Sequence, residues 1–290
     1  MRTMRYHAMI VAMSHCIVPT AEEILDKEYK ILDKGFIRLV DYLGSDSRIV
    51  QAARVSYGAG TKSIREDAAL IDYLLRHQHT SPFEQVVFTF HLKMPIFVAR
   101  QWIRHRTARI NEISGRYSIM QNECYVPTAD DIAFQSTDNR QGRSAAPVSA
   151  DVQHAVQAAL QDQQQIAYKG YQDMLDKNIA RELARINLPL ALYTEFYWQI
   201  DLHNLFHFLK LRCDTHAQKE IRAYAHVLLD ICKKIVPLAI KSFEEHILYS
   251  VRFSHTEFEA LQKLLQGKQH ELTGKTLSHF EKKITCGEQL

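Results

Sequence analysis

The chain has 290 residues, 46% hydrophobic and 24% charged, with a net charge of +3. That composition supports a packed domain and excludes a disordered chain, and the mild charge does not by itself mark a nucleic-acid binder. No run approaches the ~20 consecutive apolar residues of a membrane helix.

The opening stretch, MRTMRYHAMIVAMSHC, has a short apolar patch interrupted by His7 and His15 and no small-residue cleavage site, so it reads as a packed terminal segment and not as a signal peptide. Cysteines stand at 16, 124, 213, 232 and 286, widely spaced and without C-x-x-C. This argues against a disulfide framework or a zinc-thiolate site and fits a reducing cytoplasm.

Residues 1 to about 30 carry no clear period. Residues 32–44 alternate and predict a strand ending at Gly44; 45–56 predict a short helix capped by Ser or Asp. A stronger helix is expected over 63–79, with Ser63 and Glu66 as a capping box and Ala69, Leu70, Tyr73 and Leu74 as its buried stripe. Residues 85–94 predict a strand with Phe88, Phe90 and Leu92 on one face, and Pro95 suits the first turn of a helix running toward Arg106. The stretch 107–127 reads as loop with short ordered pieces, and 128–148 as a mobile surface loop. A long helix is predicted from about Ser149 to Asp176, striped by Val152, Val156, Ala159, Ile166 and Met174. A short helix before Pro189 follows, then a strand over 192–200 with Leu192, Phe196, Trp198 and Ile200 inward. Helices over 202–212 and 216–246, one further amphipathic helix and a polar tail complete the chain. The class is α+β: a mostly antiparallel sheet flanked by long helices.

Residues 100–118, RQWIRHRTARINEISGRYS, stand out. Arg100, Arg104, Arg106, Arg109 and Arg116 fall close together, with Glu112 as the one acid. A persisting helix would put Arg100 and Arg104 on one face, where two like charges repel unless an anion lies between them. Guanidinium forks hold phosphate oxygens in bidentate fashion, and Ser114 and Gly115 let backbone N–H groups approach the same anion. From chemistry alone this is a site for a phosphorylated small molecule, only slightly favoured over a solvated basic face. A nucleic-acid footprint is the alternative, weakened by the absence of a second basic stripe with interleaved aromatics. His203, His207 and His216 offer a second alternative, a metallohydrolase, but no H-E-x-x-H is present. No G-x-G-x-x-G occurs, so no Rossmann dinucleotide site is supported.

Arg104, His105, Arg106 and, after seven residues, Ser114 resemble the R-H-R-x7-S signature of the flavin-dependent thymidylate synthases. AARVSYG (52–58) and the segments 79–102, 182–198 and 208–222 resemble family segments in the expected order. The likeness covers about residues 30–246 of a single domain spanning 1–290, leaving 1–30 and 247–290 as extensions.

The resemblance implies an antiparallel sheet ringed by helices, a homotetramer with active sites shared between subunits, and a cytoplasmic enzyme. Its reaction would be the reductive methylation of dUMP to dTMP, with methylenetetrahydrofolate as carbon donor and NADPH as reductant through FAD. It implies FAD contacts at Ser81, Arg104, His105, Arg106, Glu112, Asp201, Leu202, His203 and His207. Some members carry Asn, Arg and Asn where this chain has Asp201, His203 and His207, and many have Ser where Arg109 stands. For dUMP it implies Gln101, Trp102, Ile103, Arg104, Glu112, Ile113, Ser114, Gly115, Arg116, Arg185 and Arg212. Ser114 and Arg116 would hold the phosphate, Arg185 would reach in from a neighbouring subunit, and Arg212 would stabilise charge on the uracil ring as the catalytic residue. His79 would lie on the folate and nicotinamide side. No cysteine nucleophile is required, and no metal, membrane or nucleic-acid partner is implied.

Overall fold

The computed structural model describes residues 16–55, 64–137 and 141–286. The N-terminal fifteen residues and Ser63 of the proposed capping box lie outside them.

Five antiparallel strands form the centre: β1 (Glu28–Ile31), β2 (Gly35–Leu43), β3 (Val87–Pro95), β4 (Arg109–Glu112) and β5 (Tyr193–Asp201), in the order β1-β2-β3-β5-β4. The alternation read from the sequence sets which face is buried. Phe88, Phe90 and Leu92 pair with Ile200, Trp198 and Phe196, and all six side chains point into the core. Thr194, opposite Met94, is the one polar side chain of β5 on that inner face. β2 departs from simple alternation because a bulge between Leu39 and Asp41 inserts one residue, moving the inward side from Ile37 and Leu39 to Tyr42. β1, unread in the sequence, is a four-residue edge strand with one buried side chain, too short to show a period.

Helices α1 (Pro19–Glu22), α2 (Asp46–Arg54), α3 (Ile64–Arg76), α4 (Ile96–Trp102), α5 (Ala150–Asp176), α6 (Arg181–Ala184), α7 (Leu202–Arg212), α8 (Lys219–Ile235), α9 (Pro237–Phe243), α10 (His255–Leu265) and α11 (Gly274–Cys286) surround the sheet. α7 and α8 cover its inner face with Leu205, Phe208, Leu209, Ile221, Tyr224 and Leu228. Trp102 sits at the centre, 5.1 Å from Trp198 and 4.3 Å from Phe208 between ring centroids. Burial of a side chain that size contributes roughly 2–3 kcal/mol. Gly35 is required where Tyr224 crosses β2: a Cβ there would lie 1.9 Å from the Tyr224 hydroxyl, which donates to the Lys93 carbonyl at 2.7 Å.

Several expectations are corrected. The helix after Pro95 stops at Trp102, so Arg104 lies beyond it and shares no helical face with Arg100. The helix expected over 216–246 breaks at Val236; Pro237 opens α9, and Asp46 of α2 accepts from the Leu238 and Ala239 N–H groups at 2.9 and 3.0 Å. On α3 the buried side chains are Ile71 and Leu74, while Ala69 and Tyr73 are exposed. On α5 Val152, Ala159 and Ile166 face outward, and Gln164 and Tyr171 are buried. Gln164 donates to the Tyr125 carbonyl at 3.0 Å, and the Tyr171 hydroxyl accepts from the Met120 N–H at 3.0 Å. The 128–148 segment is tied down at two points, by Lys219 to Asp131 and by Arg143 to the buried Glu220. The polar tail is helical over Gly274–Cys286; Ser254 and Glu257 form a capping box on α10, and Lys283 of α11 returns to Glu257 at 2.8 Å.

Candidate active site

Of the signature residues, Arg104, His105 and Arg106 lie in the connection between α4 and β4, and Ser114 follows the edge strand β4. All four β4 residues are exposed, and Ile110, Ile113, Tyr117 and Ile119 expose apolar surface beside the arginines. Glu112, on this strand, accepts from the buried Thr194 hydroxyl at 2.5 Å, which fixes its carboxylate against β5.

Arg212, at the end of α7, donates from Nε to Nε2 of His105 at 3.1 Å and from its terminal nitrogen to the Gln101 carbonyl at 3.3 Å. His105 packs edge-on to Phe208, 4.8 Å between centroids. Burial first, then the Arg212 and His207 charges, pushes the His105 imidazole down to about 4. The Arg212 guanidinium is itself held below its ordinary range by burial and by Arg104. Gln101 also donates to Gln218 at the head of α8. Thus Gln101, Arg104, His105, His207 and Arg212 form one connected group. Arg106 and Ile103 are exposed beside it, whereas Trp102 is fully buried and can offer only backbone.

A second group lies past β4. The Ser114 hydroxyl accepts from the Arg116 N–H at 3.3 Å, and Arg116 pairs with Glu182 at 3.2 Å. A Cβ on Gly115 would stand 3.0 Å from Arg185 Cδ, so the Arg185 stem rests on Gly115 within one chain. Arg185 thus lies beside the Ser114–Arg116 turn of its own chain. No hydrogen bond or ion pair among the described residues links this group to Arg212.

His79, His203 and His207 line a cavity of about 440 Å³ with Arg76, Lys210, His246 and Arg252 over an apolar floor of Leu74, Phe83, Phe206 and Ile247. His203 and His207 meet at 3.2 Å between Nε2 atoms. His216 turns instead to Asp214, 2.9 Å away, and among the described residues no cluster of three or more His, Cys, Asp or Glu side chains is arranged to hold a metal. Asp201 caps α7, accepting from the Asn204 N–H at 2.9 Å and from its side-chain amide at 2.8 Å. Leu202 is fully buried. Ser81 opens onto a separate recess with Arg48, Gln51 and Pro82 and does not reach this cavity. Cys124 is buried, and burial raises its thiol above the ordinary range.

The sequence did not point to Thr194, Lys210, His246 or Arg252. Thr194 had a signal, as the lone polar residue in the inward register of a strand. Arg252 and His246 lie at the edge of or beyond the region of motif resemblance.

The thymidylate synthase complementing protein family matches residues 38–238, and the thymidylate synthase ThyX C-terminal domain matches 251–290. The chain belongs to the flavin-dependent thymidylate synthase family. It is accordingly an enzyme, a thymidylate synthase whose chemistry depends on a flavin. A flavin-dependent thymidylate synthase of Treponema denticola is 66% identical over 266 residues, covering 92% of this chain and 100% of that protein. One from Thermus thermophilus is 58% identical over 241 residues, 83% of this chain and 87% of the relative. A crystal structure of the UMP/dUMP methylase PolB from Streptomyces cacaoi bound with 5-Br UMP matches with a TM-score of 0.68 and 31% identity, over 76% of this chain and 97% of that one.

For a flavin-dependent thymidylate synthase the histidine-lined cavity has a fitting donor set. Its polar lining is made of cationic and imidazole groups with Gln78 and Thr80 and holds no carboxylate, and its floor is apolar. A planar ring with carbonyl oxygens and a phosphate tail asks for such walls. No helix among the described residues is long and apolar enough to cross a membrane.

Proposed function

We propose that the chain methylates dUMP to dTMP, drawing the carbon from methylenetetrahydrofolate and the reducing equivalents from NADPH. FAD, when bound, supplies the redox chemistry. Arg104, His105, Arg106, His203 and His207 would hold it, with Glu112 and the Asp201–Leu202 turn at the margin; Ser81 would need to be reached from the far side of its recess. Ser114, Gly115, Arg116 and Arg185 would bind the dUMP phosphate, through a hydroxyl, backbone N–H groups and guanidinium forks. Gln101, Ile103, Ile113 and the backbone of Trp102 would line the nucleotide's path. Arg212 would meet the uracil ring and stabilise negative charge there, held in aim by His105 and the Gln101 carbonyl. His79 would face the folate and nicotinamide side.

The observation that carries this reading is the Arg212–His105 contact, which joins the signature motif to the end of α7. Among the described residues no hydrogen bond or ion pair ties the Ser114–Arg116 group to Arg212 within one chain, which supports a site completed by another copy. The exposed apolar side chains Ile110, Ile113, Ile166, Leu183, Ile186 and Leu190 support a homotetramer that buries them. The widely spaced thiols support a cytoplasmic location. The decisive experiment is NADPH oxidation by purified protein with FAD, with and without dUMP. A yellow protein whose oxidation rate rises with dUMP is expected. A colourless protein indifferent to dUMP overturns the reading and turns attention to oligonucleotide binding by the arginine segment.

A further inference from the structure

Lys210, near the end of α7, and Arg252, in the segment that leads into α10, are the common wall of two adjoining cavities. One is the histidine-lined cavity of about 440 Å³. The other, of about 420 Å³, is lined by Lys210, Leu211, Arg212, Asp214, His216, Ala217, Arg252 and Lys283. The other charged groups on that second wall have partners: Asp214 is held by His216 at 2.9 Å, Lys283 by Glu257 at 2.8 Å, and Arg212 donates to His105 and to the Gln101 carbonyl. Lys210 and Arg252 form no ion pair among the described residues, and their mutual repulsion, after burial, holds the Lys210 ammonium below its ordinary range. The two cations come from elements that fold for independent reasons. α7 packs on the sheet through Leu205, Phe208 and Leu209, whereas Arg252 is positioned by the capped helix α10 and its tie to α11. Two cations brought together with no acid between them make a site for an anion.

Resting on the proposed function, we propose that Lys210 and Arg252 bind the anionic end of a co-substrate whose reactive end lies in the histidine-lined cavity. The two C-terminal helices α10 and α11 are then part of the active site, because they hold Arg252 in place. The ligand chemistry is a carboxylate or phosphate group on a flexible arm. Two co-substrates carry one: a folate through its glutamyl carboxylates, and NADPH through its 2′-phosphate.

The test uses the full-length, flavin-loaded protein with Arg252→Ala, Lys210→Ala and Arg252→Lys. Calorimetry measures binding of tetrahydrofolate bearing one or several glutamates, and of NADP⁺ against NAD⁺; circular dichroism and flavin content check that each variant is folded and loaded. Each alanine variant is expected to lose about tenfold or more in affinity for one ligand, with Arg252→Lys retaining most of it. A loss confined to the polyglutamylated folate assigns the site to the folate tail. A loss for NADP⁺ with NAD⁺ unchanged assigns it to the 2′-phosphate. Affinities within twofold of the parent for every ligand overturn the proposal, as does a loss confined to the flavin itself. Wild-type protein that fails to accelerate NADPH oxidation with dUMP defeats the underlying function instead, so the two failures are distinguishable.

Discussion

Arg212 Nε donates to His105 Nε2 across 3.1 Å, so the imidazole must present a bare nitrogen to the guanidinium and carry its proton on Nδ1. Burial, Arg212 and His207 together push this imidazole down to about 4. His105 is therefore neutral throughout the physiological range. Between about pH 6.5 and 4 the unfolded chain takes up a proton that the folded chain refuses, so this residue's support for the fold weakens as pH falls through that window and levels off below it. NMR titration of the His105 ring should show no inflection above about pH 5. A midpoint near 6.5 would mean that the contact with Arg212 does not persist in solution.

Arg212→Ala should remove turnover, by at least about a hundredfold in kcat, while leaving the fold intact. The reason is geometric: the guanidinium is aimed by two acceptors, His105 Nε2 and the Gln101 carbonyl, and no neighbouring side chain replaces it. Arg212→Lys should rescue little, since an ammonium cannot meet both acceptors in the same plane. The same alanine variant should let His105 titrate closer to its ordinary value, because a cation facing it is gone. Near-normal dTMP synthesis by folded Arg212→Ala would remove this arginine from the mechanism.

What the sequence made legible follows the strength of its periods. β3 and β5 alternate except at one paired end, Met94–Pro95 against Tyr193–Thr194, where neighbours are both buried, and their inward faces are legible in the sequence. α5 is legible at nearly its full length, and Met174 of the expected stripe does pack inward, but Val152, Ala159 and Ile166 are exposed. The buried positions are Gln164 and Tyr171, polar groups satisfied by the Tyr125 carbonyl and the Met120 N–H, which apolar spacing does not mark. The continuous helix expected over 216–246 passes over a local stop, Pro237, which has no N–H to give the preceding turn; the distant Asp46 then accepts from the first N–H groups of the new helix. In the candidate site, the motif marks Arg104, His105 and Ser114 by local spacing, whereas the contact of Arg212 with His105 spans 107 residues and has no local signal.

Ser114→Ala should weaken dUMP binding about tenfold and slow the chemical step much less. The Ser114 hydroxyl already accepts from the Arg116 N–H, so it shapes the turn that presents N–H groups and guanidinium to a phosphate. A phosphate is bound equally in the ground and transition states, and losing such a contact raises KM with little change in kcat. Calorimetric dUMP titration beside steady-state kinetics separates the two. A collapse of kcat with unchanged dUMP affinity would give Ser114 a chemical role that this geometry does not supply.

Asp46 offers a stability test far from the site. Burial raises its carboxyl to about 6, against the opposing hydrogen bonds from the Leu238 and Ala239 N–H groups. With the folded value above the unfolded one, this group's contribution is complete below about pH 4 and is lost as pH rises through 6, where the folded chain must ionise a poorly hydrated carboxylate. Asp46→Asn keeps an acceptor oxygen and cannot ionise. In unfolding free energy from denaturant melts it should match the parent at pH 4.5 and exceed it at pH 8 by about 1–2 kcal/mol, after about 1 kcal/mol for the weaker second hydrogen bond. Asp46→Ala should be less stable than the parent at both pH values, because two N–H groups at the head of α9 lose their acceptor. If the asparagine variant loses stability toward pH 8 in parallel with the parent, the pH dependence arises elsewhere and Asp46 is charged in the folded chain at no cost.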